Sequence, residues 1–302
     1  MQAVVYEEFG GPEVLHTLEI EEPHAGPGEV RIAVRAAGVN PMDYKLRRGW
    51  FNADAAVFPV VPGFEVAGVV DEVGEGGTDF VVGDEVVGWG KTGTFAEYTL
   101  AGAIAKKPAE VSFEEAVALP VAGETSARAL RLLELKAGET VLIHGAAGGV
   151  GAVGVQLALA LGATVIGTAA EANHDYLRSL GAVPVTYGEG LVDRVREVAP
   201  QGIDAVYDVA GKGALPDSIE LRGGTDRIVT IADPTAADHG ITFSAGGTPP
   251  ELQAAGLREQ LDLAATGKLK LKIAETFPFT DAPKAAEISE SGHPKGKLVL
   301  KP

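Results

Sequence analysis

The run TVLIHGAAGGVGAVGVQLALALGA, residues 140–163, puts a buried β-type segment, a glycine-rich turn and a helical segment with small residues on its inner side in immediate succession. That order suits a phosphate. Backbone N–H groups at a helix start have no intrahelical acceptor, and the helix dipole favours an anion there. A dinucleotide fingerprint beginning at Ala146 takes Ala146, Gly148 and Gly151 as its three positions, alanine standing for the first glycine. A second phase, Gly149, Gly151 and Gly154, also fits but lies further from the strand. The earlier phase is preferred, because the turn must follow Ile143 directly if the N–H groups of the helix start, Gly149 and Val150, are to face a pyrophosphate. Gly148 then permits close approach of the phosphates, and Gly151 close packing of helix on strand. The competing reading is a tight strand-to-helix turn with no ligand.

The next segment, ATVIGTAAEANHDYLRSLGA, bears on which dinucleotide is bound. A site for NAD places Asp or Glu about 20 residues beyond the fingerprint, to accept from the ribose 2′-OH. Here the tip is Thr168, Ala169 and Ala170, which leaves room for a 2′-phosphate, with His174, Arg178 and Tyr187 as nearby donors. Glu171 would repel that phosphate if it faced inward. The preferred explanation for it is a helix-start glutamate pairing with the dipole. NADPH is the expected cofactor.

A second polar cluster, GVNPMDYKLRRG at residues 38–49, follows the strand-like VRIAVRAAGV. Asn40 and Asp43 suit polar contacts to a ligand, or a turn made by side-chain bonds to the local backbone. Tyr44 is a candidate proton donor or a wall aromatic. Lys45, Arg47 and Arg48 read by default as surface charge at the end of a helical turn. Trp50, Phe51 and Phe64 fit either an apolar wall for a planar acceptor or ordinary packing.

These residues need elements to hold them. From residue 1 to about 120, short β-type segments (AVVY, VRIAVRAA, VAGVVDEV, GDEVVGWG, FAEYTL) alternate with Gly and Pro, predicting a β domain. From about 121 to 246, strand and helix alternate: ETVLIHG, VGAVGVQLALALG, ATVIGTAA, NHDYLRSLG, VPVTY, LVDRVREVA, IDAVYDVAG, DRIVTIA and ITFSA. That rhythm predicts parallel βαβ units in a doubly wound α/β sheet with helices on both faces. Then PELQAAGLREQLDLAATGK predicts one exposed helix, and the tail through KLVLKP is expected to return to the β domain. The domains are therefore 1–120 with 247–302, and 121–246.

Composition narrows the function. The 302 residues carry a formal charge of −17, which repels a nucleic-acid backbone, and no cysteine, which excludes disulfides, thiolate catalysis and thiolate zinc sites. No apolar run reaches membrane-spanning length and the N-terminus lacks signal-peptide character, so a cytoplasmic location without a membrane partner is expected.

Together FGGPEVL, AAGVNPMDYKLRRG, PVVPGFEVAGVVDEVGEG, VGDEVVGWGKTGTFAEYTL, ALPVAGETSARALRL, HGAAGGVGAVGVQLA, VYDVAG and HPKGKLVL resemble the medium-chain dehydrogenase/reductase superfamily, in its zinc-independent quinone oxidoreductase (zeta-crystallin-like) branch. The resemblance spans nearly the whole chain. It implies a GroES-like substrate domain plus a Rossmann domain, with the cofactor in the cleft between them, and a homo-oligomer, a dimer, formed through the Rossmann sheet edge. It places Asn40 where zinc-dependent relatives hold a cysteine ligand, and Phe64 where they hold a histidine. The loop for a structural four-cysteine zinc is missing between Trp89 and Phe95. No metal is expected.

The resemblance also places Asn40 and Asp43 near the nicotinamide and Thr125 at its carboxamide, although Thr125 reads equally as a helix cap. Val209, Ala210 and Gly211, then Ile231 and Phe243, end strands on the cofactor side. Lys297 either reaches an anionic group or is a solvated surface lysine. Without a Lewis acid the chemistry suits an acceptor already activated by conjugation, a quinone or an α,β-unsaturated carbonyl. Rival readings are an enoyl-thioester or allylic ketone reductase, and a non-catalytic NADPH-binding protein.

Overall fold

The computed structural model describes every residue except Asn52, Gly77, His293 and Lys295, so part of the HPKGKLVL motif lies outside the described residues. Strands β1 (Gln2–Val5), β2 (His16–Glu19) and β3 (Val30–Val39) lead into helix α1 (Pro41–Arg47), followed by β4 (Glu65–Val73), β5 (Glu85–Gly90), β6 (Tyr98–Lys106), and helices α2 (Phe113–Ala116) and α3 (Pro120–Leu132). The alternating part follows: β7 (Thr140–His144), α4 (Gly149–Ala160), β8 (Thr164–Thr168), α5 (His174–Leu180), β9 (Val183–Val185), α6 (Leu191–Val198), β10 (Ala205–Asp208), α7 (Leu215–Arg222), β11 (Ile228–Thr230) and β12 (Thr242–Phe243). The chain closes with α8 (Pro250–Ala265), β13 (Ile273–Pro278), α9 (Ala282–Glu290) and β14 (Lys297–Lys301).

Two compact units result. Unit 1 is Met1–Val121, Pro249–Gly267 and Leu271–Pro302; unit 2 is Ala122–Thr248 with Lys268–Lys270. In unit 1 the sheet runs β13-β14-β3-β4-β5-β6, and β3 also pairs with β6, so the sheet closes on itself. The early part of β3 shows why: Val30, Ile32 and Val34 point into the core while Arg31 and Arg35 point away, the period of two that one buried face requires. From Ala36 to Val39 every residue is buried, and α2 lies against this strand and β4. The core joins these residues to Val66, Val70, Val86, Leu298 and Leu300 and to Ala282, Ala285 and Ala286 of α9. Helix α8, expected to be exposed, buries Leu257, Gln260 and Leu261 and lies against β6. These three positions share one side of the helix, while Leu252 stays exposed.

In unit 2 the sheet order is β12-β11-β10-β7-β8-β9, all parallel. Alternate residues of one strand serve opposite layers. Val141 and Ile143 pack with Ala129 of α3, Leu133 just after it, Val155 of α4 and Leu177 of α5. Leu142 faces Leu191 and Val195 of α6 and Leu215 of α7. Both faces of the sheet are thus buried, which accounts for the unbroken apolar runs. The chain winds from β7 outward through β8 to β9, then restarts at β10 on the other side of β7. The β7/β10 boundary is the topological switch point of the sheet, where open α/β sheets bind ligands.

Candidate functional site

The glycine-rich turn sits at that switch point. β7 ends at His144, Gly148 is the N-cap of α4, and Gly149 and Val150 are its first residues. The turn thus follows β7 directly, as the earlier of the two phases requires. Gly154 lies inside the helix, where a Cβ would stand 3.1 Å from Tyr207 and 3.3 Å from Ser126. Gly151 has a different need, since a Cβ there would lie 2.3 Å from the Gly145 carbonyl oxygen. At Gly149 a Cβ would meet nothing within 4 Å, so the backbone is open on that side.

Ala146 plays a supporting part. It is fully buried, and its N–H donates to the Thr168 carbonyl oxygen (3.1 Å). Gly149 and Val150 open the first turn of α4, whose N–H groups lack intrahelical acceptors.

Unit 2 gathers most of the other expected residues at the same end of the sheet. Thr168 ends β8, Ala169 follows it, and both are buried. Val209, Ala210 and Gly211 follow β10, with Ala210 near the position a Gly145 Cβ would take (3.3 Å). Asp208, which sequence reasoning passed over inside VYDVAG, shapes this loop. Its fully buried carboxylate accepts from Ala210 N–H (2.9 Å), Gly211 N–H (3.1 Å) and the Thr230 hydroxyl (2.7 Å). Ile231 N–H donates to the Asp208 carbonyl oxygen (3.0 Å). A buried acid at a strand end, just before a glycine, was the available signal.

At the tip of β8, His174 lies within reach of the Ala169 carbonyl oxygen (3.4 Å) and the Thr186 hydroxyl (3.5 Å). Arg178 is exposed and paired with Asp175 (2.7 Å), and Tyr187 is exposed. Arg194 donates to the carbonyl oxygens of Thr186 (3.0 Å), Gly188 (3.1 Å) and Glu189 (2.8 Å), which fixes the loop carrying Tyr187. Glu171 opens a short 3-10 turn, Glu171–Asn173. Phe243 is exposed on the edge strand β12. Thr125 is the sixth residue of α3, which begins at Pro120, so it does not cap that helix.

Unit 1 holds the second constellation. The Asn40 side chain is buried, its Nδ2 donating to Glu65 Oε2 (2.7 Å) and its Oδ1 accepting from Lys297 Nζ (2.8 Å). Lys297 also donates to Glu65 Oε2, closing a ring of three side chains. Glu65 is fully buried, and its Oε1 accepts from Val121 N–H (2.7 Å). Lys297 is therefore buried and ion-paired within unit 1 and is not a solvated lysine. Glu65 was missed by the sequence reading, although an acid heading the apolar run EVAGVV was its signal.

Asp43 and Asn40 divide the two roles offered for them. The Asp43 carboxylate accepts from Asn40 N–H (2.6 Å), the bond of a capping box, so Asp43 builds the turn. Asn40 makes no side-chain cap; its amide is directed to Glu65 and Lys297 instead. Burial pushes the Asp43 carboxyl up to about 7. Its Oδ1 has no hydrogen-bond partner among the described residues, and Asp43 lines a cavity of about 10 Å³ with Leu15, Val39, Phe95 and Leu300, with room for about one water.

Tyr44 packs edge-on against Trp50 (centroids 5.9 Å apart), and burial raises its phenol pKa. Arg47 departs from the expectation of surface charge: it is buried, donates to the Gly10 carbonyl oxygen (3.3 Å), and shares Glu290 with Arg48. Trp50 and Phe51 are exposed and Phe64 is half-buried.

Residues 26–109 match the alcohol dehydrogenase GroES-like domain, and residues 180–300 the zinc-binding dehydrogenase family. Quinone oxidoreductase 1 of Escherichia coli (strain K12) is 32% identical over 99% of both chains. The chain belongs to the medium-chain dehydrogenase/reductase superfamily, in its quinone oxidoreductase branch. It is an oxidoreductase. A chloroplastic NADPH-dependent alkenal/one oxidoreductase of Arabidopsis thaliana is 33% identical, covering all of this chain and 80% of that protein. The structure of Escherichia coli quinone oxidoreductase complexed with NADPH superposes with a TM-score of 0.89 at 29% identity, covering all of both chains. The two units accordingly are a GroES-like domain and a Rossmann-type domain of this superfamily.

Proposed function

We propose that this reductase uses NADPH, without a metal, to reduce a quinone or an α,β-unsaturated carbonyl. The observation that carries the reading is the Asn40–Glu65–Lys297 ring. An ammonium already stands beside Asn40, paired with Glu65, at the place where the zinc-using relatives are expected to hold a ligand. A metal cation there would face Lys297, and an amide and a phenyl group, Asn40 and Phe64, are poor ligands. An acceptor handled without a Lewis acid must carry its own conjugation.

The residues around the switch point fit a dinucleotide. The backbone beside Gly149 is open, the first turn of α4 presents N–H groups, and no acid stands at Thr168, Ala169 or Ala170. Gly149 and Val150 would hold the pyrophosphate, with His174, Arg178 and Tyr187 beside the 2′-phosphate. When bound, the cofactor supplies a hydride from nicotinamide C4. The NADPH-dependent alkenal/one oxidoreductase and the NADPH-bound quinone oxidoreductase among its relatives support NADPH and both acceptor classes. Asn40, Asp43 and Tyr44 are the candidates on the acceptor side. A cytoplasmic enzyme, dimeric through an edge of the Rossmann sheet, goes with this reading.

The test is steady-state turnover with NADPH and NADH against a panel of quinones and enones, with elemental analysis of the dialysed enzyme. The reading expects NADPH oxidation with at least one panel member, a preference for NADPH over NADH, and no stoichiometric zinc. Equal use of NADH overturns the cofactor assignment. Zinc at one equivalent, with activity lost on its removal, overturns the metal-free chemistry.

A further inference from the structure

Three buried side chains behind the phosphate turn, Ser218, His144 and Thr168, form a hydrogen-bond chain whose direction follows from counting protons. Ser218, fully buried in α7, lies 2.6 Å from the Ala214 carbonyl oxygen as a donor. A carbonyl oxygen has no hydrogen, so the single hydroxyl proton of Ser218 is committed to it. His144 Nε2 lies 3.0 Å from the same Ser218 oxygen, which can then only accept. The proton of that contact belongs to Nε2.

Burial lowers the pKa of His144, against the smaller opposing pull of Asp208 and Asp217. The ring is therefore neutral and its Nδ1 bare. Nδ1 lies 3.3 Å from the Thr168 hydroxyl, which must donate to it. With its proton directed inward, Thr168 Oγ1 faces Gly145 N–H (3.3 Å) as an acceptor. The Thr168 carbonyl oxygen meanwhile accepts from Ala146 N–H (3.1 Å). One residue thus ties down the first two residues of the turn, and its side-chain half is oriented by His144.

We infer that His144 is a positioning residue, held as the Nε2–H tautomer, which makes Thr168 an acceptor clamp on Gly145 and so sets the shape of the phosphate turn. The inference rests on the reading of that turn as the dinucleotide phosphate site. It also reassigns Thr168: the hydroxyl at the tip of β8 has no proton to offer a ligand, so selection of a 2′-phosphate falls to other groups.

The test uses the full chain labelled with ¹⁵N-histidine, the His144 signals being assigned by their loss in His144→Gln. Long-range ¹H–¹⁵N correlation should show a neutral ring protonated at Nε2. Amide exchange at Gly145 should rise about tenfold in Thr168→Val, a loss equal to one ordinary hydrogen bond, and stay within about twofold of wild type in Thr168→Ser. The Kd for NADPH should rise in parallel in Thr168→Val, with kcat at saturation little changed and Thr168→Ser near wild type. A ring protonated at Nδ1, or Gly145 exchange unaltered in Thr168→Val, overturns the inference. If wild type binds neither NADPH nor NADH while tautomer and exchange behave as expected, it is the phosphate-site reading that fails, and with it the role assigned to the clamp.

Discussion

Glu65 is the residue on which unit 1 depends most directly. It has no exposure, two cationic or amide donors on one oxygen and a backbone N–H on the other. Removing one member of a buried pair leaves an uncompensated charge, a loss of roughly 3–5 kcal/mol, whereas neutralising both is far milder. Glu65→Gln should therefore lower unfolding stability in urea by about 3 kcal/mol, and Glu65→Gln with Lys297→Met should recover more than half of that.

Asp43 gives a pH signature. Its folded pKa, about 7, lies above the ordinary carboxylate value, so the folded state binds the proton more tightly than the unfolded chain. The stability it contributes is full below about pH 4 and is lost as pH rises from there to about 7, a change of about 4 kcal/mol. Wild type minus Asp43→Asn, compared by thermal unfolding from pH 4 to 8, should show this loss, with the variant the more stable at pH 8. A flat difference would remove Asp43 from the titrating groups. Asn40 and Asp43 were legible from the sequence as residue types, but their partners were not. Which of two plausible bonds a side chain makes is decided by Glu65 and Lys297, far away along the chain, and no local pattern carries that.

Among the elements, α4 offers two glycines with opposite demands. Gly151→Ala puts a Cβ 2.3 Å from a backbone oxygen, which cannot swing aside, so the turn and helix must part. Loss of at least about 2 kcal/mol is expected, as for overpacking in a core. Gly149→Ala meets open space and gains helix propensity of up to about 1 kcal/mol. Its thermal stability should hold or rise while NADPH affinity falls, since a methyl group then stands where phosphate must approach. Equal NADPH affinity for Gly149→Ala and wild type, by fluorescence titration, would move the phosphate elsewhere.

The strand and helix order was readable because buried parallel strands leave unbroken apolar runs and the turn leaves its glycines. The placement of α8 was less so: Leu252 is exposed while Leu257 and Leu261 are buried, residues of one type, and the contact with β6 shows which side is covered. Arg47 misled for a similar reason, because a charged residue near a helix end looks solvated until Glu290 is seen beside it.

For the whole molecule, the formal charge of −17 opposes a polyanionic cofactor at long range. At 0.01 M salt this repulsion reaches about 30 Å and at 0.15 M about 8 Å. Stopped-flow association of NADPH should therefore quicken several-fold as salt rises from 0.01 to 0.15 M. A rate that falls instead would mean that the local cations dominate the approach.

The interleaving of the units has a consequence for synthesis. β14 lies between β13 and β3, and it carries the lysine that neutralises Glu65, 232 residues upstream. A ribosome therefore releases β3 and β4 long before the strand that completes their sheet. Unit 2 has its parallel strands in one continuous stretch and can assemble on the nascent chain in the meantime. Until β14 emerges, the edge of β3 and the Glu65 carboxylate stay open, which makes that interval the time when a chaperone has most to protect.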